Sequence, residues 1–458
     1  MTDTIAAVAT PMARGAIGIL RLSGLGAIAA ASAVFAPQNG RSLADCGGHR
    51  LIYGTLFDAE GRPIDQALAT FSRGPNSYTG EDTAEMHCHG SPAVLALGLE
   101  ALFAQGARQA GPGEFTRRAF LNGRLDLTQA EAVADLIDAE TPSAARIAAG
   151  QLSGALGRRV EEIYGGLTDL MAHFCAVLDY PDEDIDPFRA ATIDEALSSA
   201  RAKLHALLES YERGRYMVRG VPCAIVGRPN AGKSSLLNAL VGYERAIVTS
   251  IPGTTRDTIE EKAQLGGVLL RLIDTAGLRD TGDEVERLGV ERSRRALEQC
   301  ALALVLVDMT GGVTPEDIEI LNEAVEKADK VIAVFTKADL MKGDYAISVK
   351  GGPPIPAVSV SSLTGEGMDA LAAAVATLFP QGAAEEAGET LTNARQAEAA
   401  RRALEAVEQA AQGHGGGMTP DAVLSDVEAA LAALGELTGR TVREDVTARI
   451  FERFCVGK

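Results

Sequence analysis

Between Gly227 and Ser234 the chain reads GRPNAGKS, a GxxxxGK[ST] spacing that follows the apolar run VPCAIVG and precedes the helix-forming SLLNALVG. A strand, a glycine loop and a helix start, in that order, present successive backbone N–H groups to an anion. Lys233 places a charge against the β and γ oxygens of a nucleotide, and Ser234 offers its hydroxyl to Mg²⁺. Asn230, Ala231, Gly232 and Ser235 complete the candidate loop. Further along, Thr249, Ser250, Ile251 and Pro252 lead into GTTRD (Gly253, Thr254, Thr255), where Thr255 can complete the Mg²⁺ shell when a γ-phosphate is present. DTAG (Asp274, Thr275, Ala276, Gly277) ends an apolar run, with the carboxylate suited to the metal and the Gly277 amide to the γ-phosphate. TKAD (Thr336, Lys337, Ala338, Asp339) ends another; a carboxylate there can accept two N–H bonds from the edge of guanine, whereas adenine leaves it unpaired. Ser361, Ser362 and Leu363 end the next run, where a last base-contacting loop belongs.

In this order the motifs resemble the P-loop GTPases. That resemblance implies GTP as substrate and Mg²⁺ as cofactor. Two positions depart from the common pattern. The guanine motif is usually NKxD, and Thr336 replaces its Asn; the position after DTAG, which in Ras-like enzymes is a Gln that orients water, is Leu278. Leu278 can orient no water, and the charge that an arginine finger supplies must also come from elsewhere; Asn230 is an oxygen donor beside the phosphates, where a monovalent cation could serve.

The elements that position these residues follow from the pattern of the whole chain. The 458 residues are 46% hydrophobic and 23% charged, ordinary for globular domains and long enough for two or three. The first 120 or so residues alternate short runs (TIAAVAT, AIGILRL, RLIYGTL, QALATF, TAEMHCH) with Gly, Pro and Asn, plus one helix-like stretch from Ala93 to Gln105. An α+β domain over residues 1–122 is expected. Apolar residues three and four apart from Thr128 to Leu178 and from Ile193 to Arg213 predict an all-α segment, 123–217, broken at DYPDEDIDP. VPCAIVG, VLLRLIDT, LALVLVD, VIAVFTKAD and IPAVSVSS, spaced by helical stretches, give the βαβ rhythm of a parallel sheet, an inserted α/β P-loop domain over 218–381. After PQGAAEEAGET, helical patterning resumes from Asn393, interrupted at QGHGGGMTP, so that 382–458 forms the second half of the helical domain.

Net charge and cysteine use narrow the setting. Lys and Arg number 43 against 62 Asp and Glu, a formal charge of −19, which argues against broad non-specific binding of nucleic acid. The six cysteines lie apart without CxxC spacing, no export signal is evident, and no run approaches the roughly 20 apolar residues of a membrane span. A cytoplasmic protein with reduced thiols is expected. In HCH (His87 to His89), strand alternation turns the histidines to one face and Cys88 to the other, which argues against a zinc site.

A second group of candidates lies in the first domain and at the end of the sequence. Arg21, Glu85 and Arg124 are charges among apolar or glycine-rich neighbours, as in a ligand pocket, although ion pairing would also account for them. RIFERFCVGK ends with two aromatics, Cys455 and Lys458. A thiolate near Lys458 or Arg453 has a lowered pKa and can act as nucleophile or acid; a structural cysteine at the end of an amphipathic helix is the alternative.

With GPNSYTGED (Gly74 to Asp82), PGEFTRRAFLNGRLDLTQAEAVADLI (Pro112 to Ile137), the GTPase motifs and CVGK, the chain resembles the MnmE/TrmE family of bacterial tRNA-modification GTPases over essentially its full length. The resemblance implies a homodimer whose K⁺-dependent GTP hydrolysis is coupled to modification of the wobble uridine of certain tRNAs. It implies K⁺ at Asn230, Thr249, Ile251 and Thr254, Mg²⁺ at Ser234 and Thr255, and Glu286 as a catalytic residue that helps position the attacking water. The first domain is similar to tetrahydrofolate-binding domains, which implies 5-formyl-tetrahydrofolate, or a related tetrahydrofolate, at Arg21, Glu85, Arg124 and Lys458, with Cys455 a second catalytic candidate. An FAD-dependent partner of the MnmG/GidA type, in a heterotetramer, is implied for adding a (carboxymethyl)aminomethyl group at C5. A regulatory GTPase in ribosome assembly is the alternative, and it would have no need of Cys455 or the Arg21, Glu85 and Arg124 set.

Overall fold

The computed structural model describes residues 3–179, 190–243, 261–273, 294–341, 354–380, 388–441, 450–451 and 454–457. By their contacts they fall into two compact units: residues 1–134, 151–200 and 402–458 in one, 135–150 and 201–401 in the other.

In the first unit, β1 (Ile5–Val8), β2 (Ile17–Ser23), β3 (Phe35–Pro37), β4 (Ile52–Phe57), β5 (Pro63–Ser72), β6 (Thr83–His89) and β7 (Arg108–Gln109) form a sheet of order β3-β4-β5-β6-β2-β1-β7. Its pairings are antiparallel except β1 with β7. Alternation decides what each face carries. Leu20, Leu22, Ala84 and Met86 turn into a core shared with Phe35, Leu56, Phe71, Leu95 and Leu102. Arg21 and Glu85, directly paired across β2 and β6, lie at the intervening positions. Ile5, Ala7, Ala110 and Phe115 form a separate buried cluster.

The sequence expectation of one helix in this region is corrected: Ala27–Val34 and Glu114–Leu121 are helical besides Pro92–Ala104. AIAAASAV is almost uniformly apolar and is buried at Ala27, Ile28, Ala30, Ala31 and Val34, so it lacks the polar stripe that marks an amphipathic helix. The helical segments are Leu127–Ile137, Pro142–Leu152, Ala155–Asp179, Ala190–Arg219, Ala394–Gly415 and Pro420–Thr438. Ala190–Arg219 runs six residues past the expected end, and Ala394–Gly415 continues through the first glycines of the expected break. Ala155–Asp179 packs on Pro420–Thr438 within the first unit. The DYPDEDIDP break lies outside the described residues except for Asp179.

In the second unit, β8 (Val221–Gly227), β9 (Glu261–Leu265), β10 (Val268–Leu272), β11 (Leu302–Asp308), β12 (Lys330–Thr336) and β13 (Ala357–Val360) form a sheet of order β13-β12-β11-β8-β10-β9. β8, β10, β11, β12 and β13 pair in parallel. The five expected strands pair in parallel as read; an additional strand, β9, which the sequence reading did not name, runs antiparallel to β10 at the edge. Gly266 and Gly267 join them with φ of 60° and 78°, the left-handed values of a tight hairpin turn. β11 is buried from Leu302 through Val307, because helices cover both faces of a parallel sheet. Leu236, Leu240, Leu371 and Val375 belong to one core cluster and Ala296, Leu297, Leu321 and Ala324 to another, with β11 contributing to both. The loops after β8, β11, β12 and β13 therefore emerge together at the C-terminal edge, where α/β sheets bind ligands.

Candidate functional site

Gly227 ends β8 with φ of 152°, and a Cβ there would meet Leu306 O at 2.6 Å, so only glycine lets the loop leave the sheet this close to β11. Asn230 is exposed in the left-handed region (φ 62°), and Gly232 follows at 95°. The helix Lys233–Tyr243 begins at once, buried through Leu236, Leu237 and Leu240. Lys233 Nζ donates to Gly227 O and Arg228 O, both at 2.8 Å, and burial lowers its pKa. An ammonium held over the loop's own carbonyls is placed to take phosphate oxygens as further partners. Ser234 and Ser235 are exposed at the helix start.

Thr336, the departure from NKxD, ends β12 with 3% of its surface exposed. Its hydroxyl donates to Ala231 O at 2.8 Å, with Val307 O a second acceptor at 3.3 Å. The side chain thus ties the base-side strand to the phosphate loop, a tie between residues 105 apart that spacing in the sequence does not reveal. Ser361, fully buried, donates its hydroxyl to Asp339 Oδ1 at 2.7 Å, and Ala338 N donates to Val360 O. The TKAD and SSL loops are therefore joined, and the exposed Asp339 is oriented from behind. Lys337, at φ 62°, pairs through Nζ with Asp308 Oδ2 at 2.6 Å. Leu363 is 87% exposed. Thr249 through Thr255, Asp274 through Gly277, Leu278 and Glu286 lie outside the described residues.

Sequence reasoning missed Arg228 and Asp317. Arg228 Nε donates to Asp317 Oδ1 at 2.7 Å, and the Asp317 side chain is 1% exposed. The other oxygen of Asp317 accepts from Thr314 N and Thr314 Oγ1, closing a capping box at the start of helix Pro315–Lys327. The T-x-x-D spacing was the available signal for the cap; nothing local signals the bond to Arg228.

In the first unit, Arg21 Nε donates to Glu85 Oε1 at 2.7 Å and Arg21 Nη1 to Gly457 O at 3.2 Å, with the guanidinium 5.8 Å from the Phe115 ring centroid. His87 Nε2 stands 3.3 Å from Glu85 Oε2, and His89 Nδ1 lies 2.7 Å from Asp65 Oδ1. The segment holding Cys455 is docked. Phe451 and Phe454 are buried in a cluster with Ala130 and Val133, Gly113 N donates to Cys455 O at 3.3 Å, and Val456 bridges Pro112. Cys455 itself is exposed. Arg124 is also exposed, its stem lying near Gly80 of the GPNSYTGED segment. Lys458 lies outside the described residues.

Behind these residues sits Arg118, fully buried and absent from the sequence candidates. It donates to Asp3 O, Asp3 Oδ1, Glu81 Oε2 and Glu114 Oε1 at 2.9–3.0 Å. Ser23 Oγ adds a bond to Glu81 at 2.8 Å. This network fastens GPNSYTGED to PGEFTRR; a buried guanidinium persists only when paired in this way.

A phosphate loop at a strand–helix junction, a carboxylate-bearing base loop after β12 and a supporting loop after β13 define an α/β P-loop GTPase domain. Two family models match the chain, the MnmE helical domain over residues 127–455 and the GTP-binding protein TrmE N-terminus over residues 4–124. The tRNA modification GTPase MnmE of Roseiflexus sp. (strain RS-1) is 45% identical over 466 residues, covering 100% of this chain and 99% of the relative. That of Symbiobacterium thermophilum is 45% identical over 459 residues, with the same coverage. Among solved structures, the G domain of the T. maritima FeoB iron transporter is 24% identical, covers 35% of this chain and 98% of that one, and has a TM-score of 0.24. Era in complex with MgGDPNP and a 16S ribosomal RNA fragment is 26% identical, covers 40% and 65%, and has a TM-score of 0.26. The chain belongs to the MnmE/TrmE family of tRNA modification GTPases. Among the described residues no helix is long and apolar enough to cross a membrane.

Proposed function

We propose that the chain binds GTP across the edge formed by the loops after β8, β12 and β13, and that its hydrolysis drives addition of a (carboxymethyl)aminomethyl group at C5 of the wobble uridine of certain tRNAs. The observation that carries the nucleotide part is the joining of these loops by two buried hydroxyls, Thr336 on Ala231 O and Ser361 on Asp339. Loop N–H groups and Lys233 hold the phosphates, and Asp339 accepts the two N–H donors of guanine. The exposed Ser234 and Asn230 stand where oxygen ligands for Mg²⁺ and K⁺ are needed, with Thr255 and with Thr249, Ile251 and Thr254 as the remaining ligands in this reading. The two cations, when bound, supply neutralisation of the charge that develops on the transferred phosphoryl group. Glu286 positions the attacking water in place of the Gln that Leu278 replaces.

In the same reading Arg21, Glu85, Arg124 and Lys458 hold a tetrahydrofolate whose one-carbon unit is transferred, and Cys455 assists at the uridine. What supports it is the docking of the Cys455 segment onto Arg21, which puts an exposed thiol two residues from the carbonyl that Arg21 binds. The working form is a cytoplasmic homodimer acting with an FAD-dependent partner of the MnmG/GidA type in a heterotetramer.

Two measurements test these parts separately. GTP turnover is expected to be severalfold faster in K⁺ than in Na⁺; equal rates overturn the K⁺ assignment. In cells lacking the chain, mass spectrometry is expected to find wobble uridines unmodified at C5; normal modification overturns the tRNA chemistry.

A further inference from the structure

An arginine in a phosphate loop invites reading as a charge for the transferred phosphoryl group, particularly where Leu278 replaces the Gln that orients water in Ras-like enzymes. The geometry of Arg228 opposes this. Its Nε is committed to Asp317 Oδ1 at 2.7 Å, and Asp317 lies buried at the first turn of helix Pro315–Lys327, 89 residues away. Asp317 is itself fixed, since its second oxygen accepts two bonds from Thr314 and its backbone N–H donates to Thr314 Oγ1 in the reciprocal cap. A carboxylate at 1% exposure needs a cationic partner, and Arg228 supplies it. The guanidinium is held at the flank of the loop.

Its main chain, in contrast, is at the centre of the loop. Arg228 O accepts from Lys233 Nζ at 2.8 Å and from Ala231 N at 3.2 Å, so one carbonyl collects the phosphate-binding lysine and the turn that carries Asn230. The far side of that turn is held by Thr336 through Ala231 O. Fixing the Arg228 side chain therefore fixes the carbonyl that aims Lys233.

We infer that Arg228 and Asp317 are positioning residues for nucleotide binding: a cap carboxylate on helix Pro315–Lys327 clamps the phosphate loop through Arg228 and so pre-aims Lys233 and the loop amides. This rests on the reading of residues 227–235 as the phosphate site. The clamp holds the main chain and the lysine that face the phosphates GTP and GDP share, so it acts on binding of both nucleotides rather than on the chemical step.

The test uses the full-length chain with mant-GDP as probe and GTP as substrate. Arg228→Gln is expected to weaken mant-GDP binding and raise KM for GTP by about tenfold, the scale of one charge-assisted hydrogen bond, with kcat within about twofold. Asp317→Asn, which keeps an acceptor for the cap, is expected to produce the same loss, and the double variant no more than either single one, because both remove one clamp. Arg228→Lys, which restores a charge facing Asp317, is expected to recover most of the affinity and covers the case in which Arg228→Gln fails to fold. Unchanged affinity in folded Arg228→Gln, additive losses in the double variant, or a loss confined to kcat each overturn the clamp. Lys233→Ala separates the two levels: retained mant-GDP binding overturns the phosphate-site reading, whereas its loss beside an unaffected Arg228→Gln overturns the clamp alone.

Discussion

Gly457→Ala isolates the docking of the Cys455 segment from the rest of the molecule. Gly457 has φ of 100°, and a Cβ there would stand 2.5 Å from Val8 O, 2.9 Å from Ala9 Cα and 3.2 Å from Val8 C. All three are backbone atoms at the end of β1, whose register with β2 is fixed, so nothing on that side can yield. A non-glycine residue in the left-handed region costs about 1–2 kcal/mol. Displacement also breaks the bond from Arg21 Nη1 to Gly457 O, a charged donor worth about 1.5–3 kcal/mol. The docked form therefore loses roughly 3 kcal/mol or more, over a hundredfold in its local equilibrium. Phe451 and Phe454 stay in their cluster with Ala130 and Val133, so global stability should hardly change. The Gly113 amide, which donates to Cys455 O, serves as reporter: its hydrogen exchange should accelerate while strand amides of β2 and β6 keep their protection. GTP hydrolysis should be retained and wobble-uridine modification lost. An unchanged Gly113 amide would refute the docking energetics, and full modification from an undocked segment would refute its proposed role.

Other outcomes follow from the same structure. Thr336→Val keeps volume and removes the hydroxyl facing Ala231 O in a site that is 3% exposed; an orphaned buried acceptor costs about 1–3 kcal/mol, so mant-GDP affinity should fall about tenfold, and unchanged affinity would show the tie to be idle. Burial alone would push the Glu114 carboxyl upward, but hydrogen bonds from Arg108, the Gly111 N–H and Arg118 outweigh it and hold the pKa below its ordinary value of 4.5. A depressed carboxylate stabilises the fold above its unfolded pKa and loses that contribution as pH falls. Thermal melting of Glu114→Gln should therefore lie below the parent at pH 7, with the gap closing as pH drops under 4.5; a gap independent of pH would remove the charge from the account.

The legible parts of the chain were those whose causes are local. β6 reads TAEMHCH, and strict alternation alone sends Met86 inward and Glu85 to the opposite face. The hairpin between β9 and β10 had a signal in its Gly266–Gly267 pair, yet EKAQL has one charge too many to be read as a strand beside VLLRL, and only pairing with β10 makes it one. Helix Ala27–Val34 was missed because its exposed positions, Ala29 and Ala33, are apolar like its buried ones, so it shows no polar stripe. The Arg21–Glu85 ion pair, weighed as an alternative to ligand binding, is present, and it needed the register of β2 against β6 to appear.

What the sequence by itself determined is the strand, loop and helix start around GRPNAGKS: strand, glycines, lysine and helix start lie within a few residues, so spacing is geometry. The order of the TKAD and SSL motifs was likewise set by the chain, because each lies at the end of one of two neighbouring parallel strands, β12 and β13. What only the tertiary structure decided is how these pieces are held. Arg228 meets Asp317 across 89 residues, Thr336 meets Ala231 across 105, and Arg21 meets Gly457 across 436. Such contacts depend on which strands become neighbours and on which buried charge is left needing a partner. Both are settled by packing the whole chain, and no period in the sequence encodes them.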